Sequence, residues 1–274
     1  MDGQGSRHPT GCSMTAGEAT MIDTVGEALN GGLMNTPIRL DNKVYRKATK
    51  STATIHRLLK HVRSKGIEWV PEPISFDNDT EVLSFMKGEV PHDMPEWIWT
   101  RNVLLQIATH MRDWHDATED FAAEDAQWSF QTASEPHVIC HNDFAPYNCV
   151  FDGTAFAGLI DFDLCAPGSR LWDMAYTAYR FIPVMPKVAL EAGEECSPFD
   201  TDEMNQRMEV FLQSYAMKSP TYTYTREELL SVITKRLLAI SEWTRNYAEE
   251  TNQAALMANA FMYKRHAVWV QGLL

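Results

Sequence analysis

Residues 137–176 read HVICHNDFAPYNCVFDGTAFAGLIDFDLCAPGSRLWDMAY. Two short apolar runs lie in this stretch, Val138-Ile139-Cys140 and Ala157-Gly158-Leu159-Ile160, and a loop rich in Asp and Asn follows each. Apolar runs of this length bounded by turn residues read as buried strands. The first loop carries His141-x-Asp143-x4-Asn148, and the second opens with Asp161-Phe162-Asp163. Single Asp or Asn residues in loops are ordinary turn formers. The whole pattern, hung on two flanking strands, asks for more than turn propensity.

The chain around this stretch changes texture once. Before it, Gly31-Gly32 signals a turn, polar and apolar residues mix toward Val44-Tyr45-Arg46-Lys47, and a hairpin of short strands is expected. Gly31-Gly32 could equally be a loop over phosphates. A helix should start at Ser51 or Thr52, bury Ile55, Leu58, Leu59 and Val62, and stop at Gly66. Ile74–Phe76 and Glu81–Met86 read as strands turned by Asp77-Asn78-Asp79. After Gly88 the pattern becomes helical: about 97–118, with Val103, Leu104, Ile107, Met111 and Trp114 on one side, and then 169–182, 201–217, 225–249 and 252–272. The expected fold is α+β and two-lobed. Residues 21–88 form a small β-rich lobe with one main helix, and residues 89–274 form a larger, mostly helical lobe. Residues 1–20, with no apolar core, read as a disordered leader and not a secretory signal.

Composition narrows the class. The chain has 274 residues, 45% apolar and 22% charged, within the range of globular enzymes. No apolar run approaches the roughly 18 residues that span a bilayer, so no membrane role is expected. Five cysteines, with no C-x-x-C pair, argue for a reducing cytoplasm without a disulfide framework. Cys140 and Cys149 sit in apolar runs and read as small buried hydrophobes. The net charge is −13 and uneven: ten Lys and Arg stand against seven Asp and Glu over 36–91, and thirteen against twenty-six from 92 onward. Such acidity disfavours nucleic acid as a partner and suits either solubility or a cationic ligand of the second lobe. No obligate protein partner is evident.

The motif set fits phosphoryl transfer. That chemistry needs a carboxylate to take the proton of an attacking hydroxyl, hard oxygen ligands to hold Mg2+ on the phosphates, and rigid supports for both. Asp143 and Asn148 lie five residues apart on one loop, so one can face an acceptor while the other faces a metal. Asp161, at the end of the neighbouring strand, can meet Asn148 across Mg2+, which keeps several waters. A metal-hydrolase reading, with His141, Asp143, Asp161 and Asp163 as ligands, lacks the second histidine motif such sites use.

HNDFAPYN, LIDFD and RLWDMAY together resemble the catalytic core of the aminoglycoside phosphotransferase and choline kinase superfamily, relatives of protein kinases. The resemblance implies a protein-kinase-like fold and transfer of the γ-phosphate of ATP or GTP, with Mg2+, to a hydroxyl of a small-molecule acceptor. It implies Asp143 as base, Asn148 and Asp161 as metal ligands, and His141 and Asp173 as supports of the catalytic loop. Asp163 stands where a D-F-G glycine would be, and whether it touches metal or substrate is open. Strand alternation lets only one of Arg46 and Lys47 point inward to the phosphates; the family's Y-R spacing favours Arg46. The helix should supply a glutamate to that cation, but residues 52–62 contain none, and Ile55 or His56 stands at the expected place. The ion pair is therefore expected to be missing. Ser84, Phe85 and Met86 correspond to the hinge whose backbone pairs with the base. Glu194, Glu195, Asp202 and Glu203 are candidate acceptor contacts in an acidic stretch, Glu191–Glu209, with Arg207 as its lone cation. An aromatic cage from Trp172, Tyr176, Tyr179 and Trp243 would favour choline over an amino sugar. The alternative is a pseudokinase-like nucleotide-binding module without turnover, which the missing helix glutamate favours.

Overall fold

A computed structural model describes residues 26–29, 37–122 and 124–274. The leader and the Gly31-Gly32 turn lie outside the described residues. The first lobe is an antiparallel sheet with strand order β1-β2-β3-β5-β4. Its strands are β1 (Glu27–Ala28), β2 (Ile38–Leu40), β3 (Lys43–Lys47), β4 (Pro73–Phe76) and β5 (Thr80–Ser84). Asp77 Oδ1 accepts from the N–H groups of Asp79 and Thr80 and closes the β4–β5 turn. Helix α1 (Thr52–Ser64) buries Ile55, Leu58, Leu59 and Val62, as its spacing predicts, and Gly66 ends the turn after it at φ 88°.

The second lobe is mainly helical: α2 (Arg101–Thr118), α3 (Arg170–Phe181), α4 (Thr201–Ala216), α5 (Arg226–Thr251) and α6 (Ala254–Gln271). The single helix expected over 97–118 is broken. Glu96–Trp99 form a 3₁₀ turn, and Thr100 is extended at ψ 148°, so α2 starts afresh at Arg101. α5 opens with a capping box between Thr225 and Glu228. Between α2 and α3 lie two small ribbons, β6 (Val138–Cys140) with β9 (Ala166–Gly168), and β7 (Cys149–Asp152) with β8 (Ala155–Leu159). The sequence pattern shows β6 and β8 but misses β7 and β9. β9 is three residues, one of them proline, which leaves no period to detect. The Trp114 indole N–H donates to the Ile139 carbonyl at 2.7 Å, tying β6 to α2.

The two lobes join where the chain leaves β5. Glu89 and Phe151 exchange backbone hydrogen bonds of 2.8 and 2.9 Å, clamping the linker to β7. The approach is possible because residue 88 is glycine. Its φ is 143°, and a Cβ there would lie 2.5 Å from the Phe151 carbonyl oxygen, closer than atoms pack. Gly88→Ala is expected to cost about 1–3 kcal/mol, lowering Tm by roughly 2–10 °C. A thermal melt of the variant matching the wild type would remove this account of the linker.

Candidate active site

The loop after β6 is held by one buried carboxylate. Asp173, in the first turn of α3, accepts from the N–H groups of His141 and Asn142, both at 2.8 Å, and from His115 Nε2 at 3.1 Å. Burial alone would raise the Asp173 pKa. The hydrogen bond from the His115 ring, with that from the His141 N–H, outweighs it and holds the carboxyl below its ordinary value. Asn142 takes a left-handed backbone at φ 65°. Its N–H goes to Asp173, its carbonyl accepts from Arg236 at 2.9 Å, and its side chain donates to the Leu164 carbonyl at 2.9 Å. His141 is fully buried, with Nε2 3.1 Å from the Ile160 carbonyl and Nδ1 accepting from the Asp143 N–H. Both ring nitrogens are thus spent inside the protein, which removes His141 as a metal ligand in the hydrolase reading.

This loop presents Asp143 and Asn148 as a pair. Asp143 Oδ1 accepts from the Tyr147 hydroxyl at 2.7 Å, and Oδ2 accepts from Asn148 Nδ2 at 2.8 Å. The same Nδ2 donates to the Asp143 carbonyl at 3.0 Å, which sends the amide oxygen of Asn148 the other way. The Asn148 carbonyl accepts from the Ile160 N–H at 2.9 Å, linking this loop to the one that carries Asp161. Phe162, between the two aspartates, is buried against Trp114 and His141, with ring centroids 5.5 and 5.0 Å away. Asp161 itself sits at φ 63° with 41% of its side chain exposed. Partial desolvation, then the charge of Asp163, pushes its pKa up to about 6 against the pull of Arg46.

Arg46 faces these carboxylates from β3. Its Nη2 donates to Asp163 at 2.8 Å, its Nη1 is 3.7 Å from Asp161, and its Nε donates to Glu81 at 2.5 Å. Lys47 is exposed. As expected, no acid on α1 pairs with the cation, and carboxylates of the second lobe face it; the sequence reading missed a further acid partner on β5. Arg46 and Glu81 are cross-strand partners, so their side chains share one face of the sheet. His56, which stands at the helix position, has Nε2 3.1 Å from Glu81 Oε1. Glu81 was missed because nothing local marks it; only the β3–β5 register brings it to Arg46.

Among the described residues, no three His, Cys, Asp or Glu side chains gather as a metal cage. Mg2+ held by one or two side chains, phosphate oxygens and waters needs none. The donor set fits that mode: the Asn148 amide oxygen and the partly exposed Asp161 carboxylate are hard ligands, and Asp161 and Asp163 carry crowded negative charge.

Sequence comparison agrees with this geometry. Residues 88–205 match the model of the phosphotransferase enzyme family. This segment is similar to that family. A trifolitoxin immunity protein of Rhizobium leguminosarum bv. trifolii is 31% identical over 147 residues, 51% of this chain and 55% of that protein. The chain thus spans about half the length of the curated relative it matches. Among solved structures, an ethanolamine kinase of Plasmodium vivax superposes with a TM-score of 0.64 at 14% identity, covering 89% of this chain and 82% of that one. A choline/ethanolamine kinase family protein of Mesorhizobium loti gives 0.61 at 13% identity, covering 92% and 89%. The fold is therefore the two-lobed, kinase-like one. No described helix is long and apolar enough to cross a membrane.

The rest of the expected phosphotransferase site is less open than the sequence suggests. At the hinge, the Phe85 N–H donates inward to the Asn42 carbonyl at 2.8 Å, and Ser84 pairs with Glu72, so Met86 is the expected residue with no such bond. Glu194 pairs with Arg265, Glu195 with Arg180 at 2.6 Å, and Glu203 with Arg207 at 2.9 Å, while Asp202 lies exposed in the first turn of α4. The proposed aromatic cage does not form as one open set: Trp172 and Tyr176 both face the Arg236 guanidinium, at 5.3 and 5.1 Å, and Tyr179 packs on Tyr176. Trp243 stacks on Tyr247 at 5.4 Å. Tyr147 and Tyr176 do meet beside Asp143, hydroxyl to hydroxyl at 2.9 Å, with the Arg180 guanidinium 5.4 Å from the Tyr147 ring.

Burial depresses the pKa of four histidines of the second lobe, His110, His115, His141 and His266. The unfolded chain therefore takes up protons first as pH falls below about 6.5, so the folded state loses stability in that direction. Asp161, raised to about 6, acts in the opposite sense, since its charge is relieved on protonation. With four groups against one, Tm is expected to fall between pH 7 and pH 5. A Tm that holds or rises over that window would contradict the assignment of these rings as buried and neutral.

Proposed function

We propose that the protein transfers the γ-phosphate of ATP or GTP, with Mg2+, to a hydroxyl of a small polar acceptor. The observation that carries this is the shared Asp143–Asn148 unit: one side chain pair, fixed by the Asp173-braced loop, offers a carboxylate on one side and an amide oxygen on the other. Asp143 accepts the acceptor's proton, and the Tyr147 hydroxyl orients its carboxylate. Asn148 and Asp161 would hold Mg2+, which would supply charge neutralisation on the phosphates. Arg46 holds phosphate oxygens, and the backbone around Ser84–Met86 receives the base.

Asp143→Asn is expected to lower kcat on the order of 10²–10⁴-fold while nucleotide affinity stays near wild type. Asp161→Ala should instead abolish the Mg2+ dependence of nucleotide binding, and Asn148→Ala should weaken it less. Loss of nucleotide affinity in Asp143→Asn, in step with rate, would make Asp143 a metal ligand. A Mg2+-dependent turnover assay separates this reading from that of a nucleotide-binding module without turnover. The motive for that alternative was a cation lacking an acid, and Glu81 supplies one.

For the acceptor we infer a cationic amino sugar or amino-alcohol. The support is the charge of the second lobe, whose acidic excess equals the chain's −13. Because Glu194, Glu195 and Glu203 meet arginines, attraction would come from the summed field and not from those carboxylates. Likeness to the trifolitoxin immunity protein supports including trifolitoxin among the acceptors tested. Exposed charges lose their reach beyond about 8 Å at physiological salt, so kcat/KM for the acceptor should fall as salt rises. Salt-independent kcat/KM would remove the cationic acceptor.

A further inference from the structure

We propose that Glu81, on β5, is the positioning residue that aims Arg46 at the nucleotide phosphates, doing from the sheet what no acid on α1 is present to do. The inference rests on the phosphotransferase reading of the site.

The argument starts from desolvation. Arg46 keeps only 11% of its side chain exposed, and Glu81 keeps none. A buried guanidinium without an acid partner is costly, as is a buried carboxylate without a cation. Burial alone would lower the Arg46 pKa, but Asp163, Glu81 and Asp161 outweigh it and hold it above the ordinary arginine range. For Glu81, burial would raise the pKa, and His56 and then Arg46 reverse that, leaving it below the ordinary carboxylate value. The pair is charged in its resting state.

Orientation carries the point further. Glu81 takes the Nε–H of Arg46 and leaves both Nη groups pointing to the cleft, where they now meet Asp163 and Asp161. A guanidinium held at Nε presents a rigid fork of N–H donors, the geometry that suits phosphate oxygens. Glu81 itself is held on both sides: β5 fixes its backbone opposite Arg46, and His56 of α1 packs against Oε1. Asp163 cannot substitute as the anchor. It lies in the other lobe beside the proposed metal ligand, and an Arg46 held there alone would turn toward the carboxylates it must leave for phosphate.

A purely structural role predicts lost stability with nucleotide affinity intact. A positioning role predicts that affinity falls, and falls only while Arg46 is present. The test is a double-mutant cycle on the full chain. The Kd of MgATP and MgGTP is titrated for wild type, Glu81→Gln, Arg46→Ala and the double variant, with KM of the acceptor followed in parallel. Glu81→Gln is expected to weaken the better nucleotide by about 10- to 100-fold and leave the acceptor KM unchanged, while the double variant binds no more weakly than Arg46→Ala. Unchanged nucleotide affinity in Glu81→Gln, or losses that add in the double variant, would overturn the proposal. If Glu81→Gln folds too poorly to titrate, Glu81→Asp keeps the charge and shortens its reach. It should weaken nucleotide in the same way, and wild-type affinity there overturns the proposal equally. A wild type that binds neither nucleotide would sink the phosphotransferase reading as well, whereas a wild type that binds with Glu81 indifferent sinks this inference alone.

Discussion

Asp173 has no exposed surface and accepts hydrogen bonds from two consecutive main-chain N–H groups and one imidazole. Two adjacent N–H groups can converge on one carboxylate only if the chain turns sharply between them, and Asn142 makes that turn in the left-handed region. The direction of Asp143, one residue later, follows from it. Other elements converge on the same point: α3 brings Asp173, α2 brings His115, and α5 brings Arg236 to the Asn142 carbonyl. The ribbons β6–β9 and β7–β8 are too short to hold a loop by themselves, so the helices around them do.

The second constraint is the meeting of the lobes. Gly88 lets the linker lie against β7, and Arg46 reaches across to Asp163. Between these contacts the Asp161 carboxylate stands in a cleft with two carboxylates and one guanidinium within reach. Its raised pKa expresses burial first and then the same crowding: negative charge is concentrated where a divalent cation and phosphate would be exchanged. The Arg46–Glu81 pair keeps positive charge facing it without letting that charge collapse onto Asp163 alone.

Much of this was legible in residues 137–176. His141, Asp143, Asn148 and Asp161 sit at short, fixed spacings on the loops of the two ribbons, and Asp173 stands near the start of the helix that follows them, so their positions could be read from the sequence while the helices hold them in place. The buried stripe of α1 and the helices of the second lobe follow from apolar periodicity. The break at Thr100 was not legible, because the apolar pattern continues through it while the backbone does not. The candidate acceptor acids were visible as composition, but their partners, Arg180 and Arg265, come from elsewhere in the lobe, the latter about seventy residues away from Glu194.

By itself, the sequence determined the class of fold, the order of its main helices and the residues around the Asp143 loop, because each depends on short-range spacing or on a repeat of apolar residues. Only the tertiary structure decided between Arg46 and Lys47, and only it supplied Glu81. Strand alternation says that one of the two cations faces inward, but the pairing of β3 with β5 says which, and thirty-five residues separate Arg46 from its partner. A side chain's charge is written in the sequence. What that charge faces is set by register and packing between segments distant in the chain, and those are properties of the folded sheet.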